Sequence, residues 1–330
     1  MTDGSARRPI PPGHVPRIRY RPLVQRDIPE CLPLLPAWLE LDAATAREFP
    51  HLISRLVDEP SFLSGVMEDM ALPAGQRVQA WGATMILPNV YVEKVALETA
   101  PRSDVTARVY EALCNGSLVP MSDRDIGIAN TRGDIVMLIL NFSMASQDLT
   151  DPYVHGVLAR ANDAFRAFHD GYNLRAIYYT TSAAAEPIAV TSGFRVRQFA
   201  DAAQVAAIDL ERRPALYALS RTEARSVIPG TPARNCFETQ PPLFRFSASQ
   251  RRLLWLALFD ESDEALMPAL EVSVHGLKKL WRGIYERIED AAPEFFGDAS
   301  GEDDGKRGPE KRRQVLAYVR QRAEELRPWS

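Results

Sequence analysis

Polar side chains at helical spacing form the chain's most suggestive chemical group. His275, Lys279, Arg282 and Glu286 follow one another at steps of four, three and four residues, and Lys278 lies beside them. Such steps place side chains on one face of an α-helix. A short cationic face suits contacts with phosphates and base edges in a DNA groove. The same pattern is also typical of an ordinary solvated helix face.

The residues around this group predict a pair of helices joined by a short turn. Ser273 is a suitable N-cap for the helix that carries the polar face. Its opposite face is apolar at spacings of three and four, as expected of an amphipathic helix, in Val274, Leu277, Leu280, Trp281, Ile284 and Ile288. Upstream, Ser247 and Gln250 form a capping box, and Ser262 caps a shorter helix that runs into Leu270. Two residues then separate this helix from Ser273, which gives helix, turn, helix.

Residues 246–288 resemble a LuxR-type helix-turn-helix. In that family a Ser-capped helix with a Val-Lys-like pair reads DNA and ends in an Arg-x-Ile-Tyr-like segment, as in residues 273–285 here. The sequence departs from the family at Glu271, where a turn glycine is usual, and at Pro268 inside the second helix. The resemblance implies double-stranded DNA as a partner, and it implies these DNA-binding residues: Ser273, His275, Gly276, Lys278, Lys279 and Arg282.

The C-terminal stretch adds basic residues and an apolar seam. Phosphate contacts could also come from Arg251, Arg252, Lys311, Arg312 and Arg313. Pro309 suits the first position of a helix. That helix repeats apolar residues at steps of three and four, a seam fit for another helix, in Leu316, Val319, Ala323 and Leu326. The seam could pair two copies of the chain on DNA, or it could cover the helix-turn-helix of its own chain.

Composition limits the classes of protein. The chain has 330 residues, enough for two domains, and a net charge of −4, so DNA binding would depend on local basic patches. We expect no membrane span and no signal peptide, because no apolar run is long enough. Three scattered cysteines indicate a reducing cytosol without a disulfide framework. No histidine pair has metal-ligand spacing, so we expect no metal site.

The first half of the chain resembles a GNAT-type acyltransferase domain. An alternating strand at 18–24, a turn with Asp27 and a helix at 28–41 resemble the opening of that fold. A helix at 43–57 and strands at 62–70, 78–87 and 89–97 follow, and 98–133 gives no clear pattern. The run 135–142 predicts a central buried strand. It is followed by a helix at 153–170, a strand at 176–181, a short helix at 183–192 and a last strand through Phe199.

The chemistry of the acyltransferase family is not matched. Its pyrophosphate loop needs glycines, so that backbone N–H groups can approach the anion. Residues 145–157 offer only Gly156 and contain two carboxylates, Asp148 and Asp151. The family's general-acid tyrosine would align with Ala189. We therefore expect no catalytic residue and no cofactor, and a role in ligand sensing or protein contact. The tyrosines at 178 and 179 are interpreted mainly as packing residues.

Together these patterns predict an α+β N-terminal domain with a mixed central sheet flanked by helices, followed by an all-α helix-turn-helix domain. We expect a disordered segment at 1–17, an acyltransferase-like domain at 18–225 and a semi-rigid linker at 226–245. The helix-turn-helix domain at 246–330 would contain an acidic loop at 289–304 and a basic C-terminal helix.

The favoured function is a cytoplasmic DNA-binding transcriptional regulator, acting as a homodimer, with a small-molecule or protein effector at the N-terminal domain. One alternative is an N-acyltransferase that uses acetyl-CoA and carries an appended interaction domain. Another is a structural or protein-binding module built on a degenerate helix-turn-helix.

Overall fold

The most apolar run of the sequence forms the central strand of a sheet. The computed structural model describes residue 10 and residues 13–199, 209–259, 262–297 and 304–330. Its strands are β1 (Ile18–Pro22), β2 (Phe62–Asp69), β3 (Val78–Leu87), β4 (Ile135–Met144), β5 (Leu174–Ser182), β6 (Arg195–Phe199) and β7 (Pro214–Ser220). They form one seven-stranded sheet in the order β1-β2-β3-β4-β5-β7-β6. The predicted strand at 135–142 is therefore confirmed as the central one.

The sheet is mixed. Strands β4 and β5 are parallel, whereas the neighbouring pairs on either side of them are antiparallel. A parallel pair needs a crossover connection, which here is the helix α6 (Pro152–His169). This mixed sheet with flanking helices fits the GNAT-like fold that the sequence predicted.

Helices cover both faces of the sheet. Those before the C-terminal part are α1 (Ile28–Cys31), α2 (Ala43–Leu56), α3 (Asn89–Lys94), α4 (Val105–Cys114), α5 (Asp123–Arg132), α6, α7 (Glu186–Thr191), α8 (Arg221–Ala224) and α9 (Pro232–Asn235). On β4, Val136 and Leu138 pack with α1 to α4, while Ile135 and Met137 pack with α5 and α7 to α9. Helix α6 packs over β2 and β3. Successive side chains of β4 thus belong alternately to two separate cores.

Two expectations for this part were wrong in detail, and one strand was missed. The helix expected at 28–41 ends at Cys31 and continues only as a 3-10 segment, Leu32–Leu34. Pro33 and Pro36 account for this, because proline lacks the N–H that an α-helix needs and restricts the residue before it. The strand expected at 89–97 is the helix α3, which Pro88 opens in an extended conformation. Strand β7 was not predicted; it lies between β5 and β6.

The C-terminal helices share a core of their own. They are α10 (Ala248–Ala257), α11 (Asp263–Ala269), α12 (Val274–Ala291) and α13 (Asp304–Gln321), with 3-10 segments Pro293–Phe296 and Ala323–Leu326. The predicted caps at Ser247, Ser262 and Ser273 are confirmed, each accepting a backbone N–H of its helix. Their shared core contains Phe246, Leu253, Leu254, Leu266, Leu277, Trp281, Ile284, Ile288, Val315 and Val319.

Helix α13 differs from its prediction. It begins at Asp304, so Pro309 lies inside the helix and not at its first position. Val319 and Leu326 are buried in the core of the C-terminal helices. Of the two uses that the sequence left open for the apolar seam, the structure shows that it covers the chain's own helices.

The C-terminal helices also pack on the sheet part. The Arg327 side chain donates to the carbonyl oxygens of Ala167 and Asp170 and lies over the ring of Tyr172, 4.6 Å from its centroid. The ring of Trp255 on α10 meets that of Phe168 on α6 edge to face, at 4.9 Å.

The segments between and before these parts are also packed. Within the segment expected as a linker, Ala233 and Cys236 are buried in a core of the sheet part. His14 and Arg17 contact the Asp69 carboxylate, which ties residues 13–17, expected to be disordered, to the sheet edge. Residues 1–9, 11–12 and 298–303, parts of the expected N-terminal segment and acidic loop, lie outside the described residues. The described part of 289–304 is largely helical and not a loop: Glu289 lies in α12, where it pairs with Lys311, Pro293–Phe296 is a 3-10 segment, and Asp304 begins α13.

Candidate functional site

Helix α12 presents the predicted cationic face to solvent. His275, Lys278, Lys279 and Arg282 are all exposed. None of the four forms a hydrogen bond or ion pair with another residue in the described part of the chain. We call these four residues the cationic stripe. Four cation-capable donors within two helical turns can therefore meet an external anion without first breaking an internal contact.

The apolar back of α12 fixes the direction in which the cationic stripe points. Leu277, Trp281 and Ile284 are buried in the core of the C-terminal helices. The helix is capped by Ser273, whose hydroxyl oxygen accepts the N–H of Gly276 at 3.2 Å. The stripe therefore sits on a helix held from behind, and it begins in the first turn, where free N–H groups also favour anions.

The turn before α12 has left-handed backbone geometry without glycine. Glu271 has a φ of 55°, the region in which glycine is the usual residue. The family pattern has glycine there, so the turn keeps its shape at some cost in strain. Gly276 has a packing role, because a Cβ on it would lie 3.1 Å from the Cβ of Val272.

The additional phosphate contacts named from the sequence are all engaged inside the chain. The ion pairs are Arg251–Asp123 at 2.7 Å, Arg252–Asp58 at 3.1 Å, Lys311–Glu289 at 2.6 Å, Arg312–Asp263 at 2.6 Å and Arg313–Glu310 at 3.0 Å. Arg312 also lies over the Trp281 ring, and Lys311 over that of Phe296. The charge of each of the five is already balanced by a carboxylate of the chain, which distinguishes them from the cationic stripe.

A second candidate site lies where β4 and β5 separate. Their parallel pairing runs from Ile135 and Leu174 to Ile139 and Tyr179 and stops there, although both strands continue. On its other side, β4 contains a β-bulge at Leu140, because Ala83 pairs with residue 141 and Thr84 with Ile139. A bulge bends a strand and re-aims its side chains. The two strands thus diverge at the sheet centre.

Buried polar groups lie on the strands at this divergence. The hydroxyl oxygens of Ser143 on β4 and Thr180 on β5 are buried and have no hydrogen-bond partner in the part of the chain that the structure describes. Nearby on β4, Asn141 accepts a hydrogen bond from the Tyr110 hydroxyl at 3.3 Å. Buried polar atoms normally have partners, so these hydroxyls suit a polar ligand or bound water. The sequence analysis missed them, although polar residues after Leu140 do interrupt the apolar run.

Two carboxylates in the loop after β4, those of Asp148 and Asp151, accept local hydrogen bonds. The Asp151 carboxylate accepts the N–H of Tyr153 at 2.8 Å and so caps α6. Asp148 accepts from both the N–H and the hydroxyl of Thr150, and these bonds lower the pKa of Asp148. The lowered pKa keeps Asp148 charged at neutral pH, and the Asp151 carboxylate already occupies a first-turn N–H of α6. A pyrophosphate at this helix end would meet negative charge.

The surroundings of Tyr178 and Tyr179 do not suit them to proton transfer near neutral pH. Burial raises the pKa of Tyr178 to about 12 and also raises that of Tyr179. Ala189, at the position of the family's general acid, is buried and cannot titrate. Among the described residues, no cluster of histidine, cysteine or acidic side chains could hold a metal ion. None of the helices described has the length and apolar character that a membrane span requires.

Comparison with known proteins gives structural neighbours only. No family model matches the chain, and no curated protein matches it. The spermidine/spermine N-acetyltransferase SpeG from Vibrio cholerae, in complex with manganese ions, is 10% identical, with a TM-score of 0.34 over 63% of this chain and 95% of its own. Arabidopsis thaliana NAA60 in complex with acetyl-CoA is 11% identical, with a TM-score of 0.35 over 62% and 98%. The first is an N-acetyltransferase by its name and the second is a complex with acetyl-CoA. The GNAT-like character of this chain rests on its own strand order and flanking helices.

Proposed function

We propose that this chain is a DNA-binding transcriptional regulator of the LuxR type, acting in the cytoplasm, whose GNAT-like part senses an effector and does not catalyse acyl transfer. One observation carries the proposal. The four residues of the cationic stripe have no partner among the described residues, and they share one face of a helix that is capped by Ser273 and held from behind by a buried apolar face. The basic residues elsewhere on the C-terminal helices that the sequence also named are engaged by carboxylates.

The proposal includes two further partners. A single helix-turn-helix makes few base contacts, so we propose that two copies bind half-sites together. Because the α13 seam is buried within its own chain, the second copy would contact a different surface. We propose that a small effector binds at the β4–β5 divergence, where the Ser143 and Thr180 hydroxyls have no protein partner among the described residues.

The test is the salt dependence of DNA binding by the full chain. Fluorescence anisotropy with mixed-sequence duplexes, at several salt concentrations, gives the slope of log K against log salt. Each phosphate contact contributes about 0.9 to that slope. If Lys278 and Lys279 each hold a phosphate, Lys278→Ala with Lys279→Ala should lower the slope by about 1.8.

A matched control removes the same charge elsewhere. Lys94→Ala with Arg225→Ala changes two exposed basic residues of the sheet part and should leave the slope unchanged. Equal slopes for the two double variants would rule out α12 as the DNA-facing element. A wild-type chain that binds no duplex at low salt would favour the protein-binding module.

The second candidate function is N-acyl transfer from acetyl-CoA, favoured by the strand order and the divergence of β4 and β5. Two features of the loop after β4 oppose it. Its carboxylates would repel a pyrophosphate, and it lacks the glycines that let backbone N–H groups approach one. Each hydrogen bond to a charged oxygen that is lost in this way costs about 1.5–3 kcal/mol. Isothermal titration of the full chain with acetyl-CoA should therefore show no heat of binding. A dissociation constant in the micromolar range, with slow loss of the thioester, would put the enzyme first.

A further inference from the structure

The exposed face of α12 carries opposite charges at its two ends. His275, Lys279, Arg282, Glu286 and Asp290 follow one another at steps of four, three, four and four residues, which places all five on one face of the helix. All five are exposed. The first three belong to the cationic stripe, whereas the last two are acidic, and we call those two the acidic end. The face is thus positive towards the start of α12 and negative towards its end.

The acidic end is as free of internal partners as the cationic stripe. Neither Glu286 nor Asp290 forms a hydrogen bond or ion pair with another residue in the described ranges. Arg282 and Glu286 stand one turn apart, a spacing at which opposite charges can pair within a helix, yet they do not pair here. The nearby Arg287 is turned to the flank of the helix, where it donates to the carbonyl oxygen of Arg245 at 2.9 Å. Both charges of the face are therefore available to an external partner.

Two hollows lie side by side along this face and repeat its polarity. The first has a volume of about 540 Å³ and includes Lys279 in its lining. The second has a volume of about 500 Å³ and includes Glu286 and Asp290. Gln250 and Gly283 line both hollows, so the two meet beside Gly283, at the middle of the charged face.

The Gln250 amide lies at this meeting point without an acceptor. Gln250 is only 9% exposed, and its Nε2 forms no hydrogen bond with any described residue. A Cβ on Gly283 would lie 3.3 Å from this Nε2, so the donor faces the middle of α12. Because a nearly buried donor normally has a partner, a surface that covers the middle of α12 and brings an acceptor would satisfy it.

We propose that a second copy of this chain covers the charged face, with its own α12 antiparallel to the first. A two-fold axis between Arg282 and Gly283 places each residue opposite the one that is equally far from the axis. Lys279 then lies opposite Glu286 of the second copy, and His275 lies opposite its Asp290. The two Arg282 side chains meet near the axis, each within a turn of both Glu286 carboxylates. A parallel copy would instead place like charges opposite one another.

This pairing is weak and reversible, because its contacts are exposed ion pairs over a small area. It also occupies the cationic stripe, so the second copy competes with DNA for the same residues. That regulatory consequence rests on the proposed function, whereas the pairing itself does not. The pair is distinct from the two copies on DNA, in which α12 faces the duplex.

Sedimentation velocity of the full chain tests the pairing by charge reversal. Lys279→Glu with Arg282→Glu makes the face acidic, and Glu286→Lys with Asp290→Lys makes it basic. Each double variant alone should self-associate at least about tenfold more weakly than the wild type. An equal mixture of the two should form a heterodimer, and misfolding of either variant could not produce that recovery.

A matched control reverses two charges elsewhere. Lys94→Glu with Arg225→Glu changes exposed residues of the sheet part. It should dimerise as the wild type does and form no heterodimer with the basic variant. Salt between about 0.01 M and about 1 M shortens the screening length from about 30 Å to about 3 Å and should dissociate the wild-type dimer. A wild type that is monomeric in low salt, or reversed variants that do not associate when mixed, would overturn the proposal.

A short duplex separates the pairing from the proposed function. A duplex of about one helical turn has room for one helix-turn-helix, so an excess of it should convert the wild-type dimer into complexes with one copy each. A dimer that stays intact on this duplex would show that the copies meet through another surface, and the proposal fails. If the reversed variants associate but no duplex binds, the pairing stands and the DNA-binding function fails. If duplex binds and the mixture gives no heterodimer, the function stands and the pairing fails.

Discussion

A buried histidine should make the stability of this protein depend on pH in a defined window. His169, at the end of α6, is 6% exposed. Its Nδ1 lies 2.7 Å from the carbonyl oxygen of Phe165, which can only accept, so Nδ1 carries the proton. Its Nε2 then accepts from the Thr84 hydroxyl at 2.8 Å. Because a hydroxyl can also accept, it is the burial of the ring that favours its neutral form.

The size of the loss in stability follows from the shift in the pKa of His169. Burial lowers the pKa of His169 from 6.5 to about 4, and the charge of Arg327 acts in the same direction. A depressed pKa means that the unfolded chain binds the proton first, so stability is complete above pH 6.5 and is lost as pH falls towards 4. Linkage gives a loss of about 2 kcal/mol by pH 5 and about 3 kcal/mol by pH 4.

The assay is urea unfolding followed by tryptophan fluorescence between pH 7 and pH 5, a range in which most carboxylates stay ionised. The variant His169→Gln cannot titrate. Whatever its overall stability, it should lack the loss of about 2 kcal/mol across that range. His275→Gln, which changes an exposed histidine of the stripe, should keep the wild-type pH dependence. Parallel curves for the wild type and His169→Gln would refute the reasoning.

Two further predictions concern burial. Val319→Asp places a carboxylate in the core of the C-terminal helices and should destabilise or unfold them, seen as lost helical circular dichroism; a folded chain that only changes from dimer to monomer in light scattering would contradict this. Arg21→Met leaves the buried Glu68 and Asp27 without their shared cation and should cost about 3–5 kcal/mol. Arg102→Met breaks an exposed pair and should cost less than about 1 kcal/mol, so equal losses in urea unfolding would count against the first estimate.

Features that depend on neighbouring residues could be predicted from the sequence. The caps at Ser247, Ser262 and Ser273 are confirmed because an N-cap needs only its own hydroxyl and an N–H two or three residues later. The central strand is confirmed because a strand buried on both faces must be apolar throughout. The amphipathic character of α12 followed from spacing alone.

Features that depend on tertiary contacts could not be predicted from the sequence. Val90, Tyr91 and Val92 favour a strand by propensity, yet they belong to α3. There Tyr91 and Val92 are buried while Val90 is 77% exposed. Which of the three is buried depends on how α3 packs on the sheet. Similarly, nothing near Arg251 in sequence indicates its partner, because Asp123 lies 128 residues away.

The free state of the cationic stripe is itself informative. Like charges one turn apart on a helix destabilise it by a few tenths of a kcal/mol, and Arg282 follows Lys278 and Lys279 at steps of four and three residues. The same chain gives carboxylate partners to Arg251, Arg252 and each basic residue named on α13, so it is able to neutralise such charges. An external anion, such as a phosphate of DNA, would relieve the repulsion among Lys278, Lys279 and Arg282.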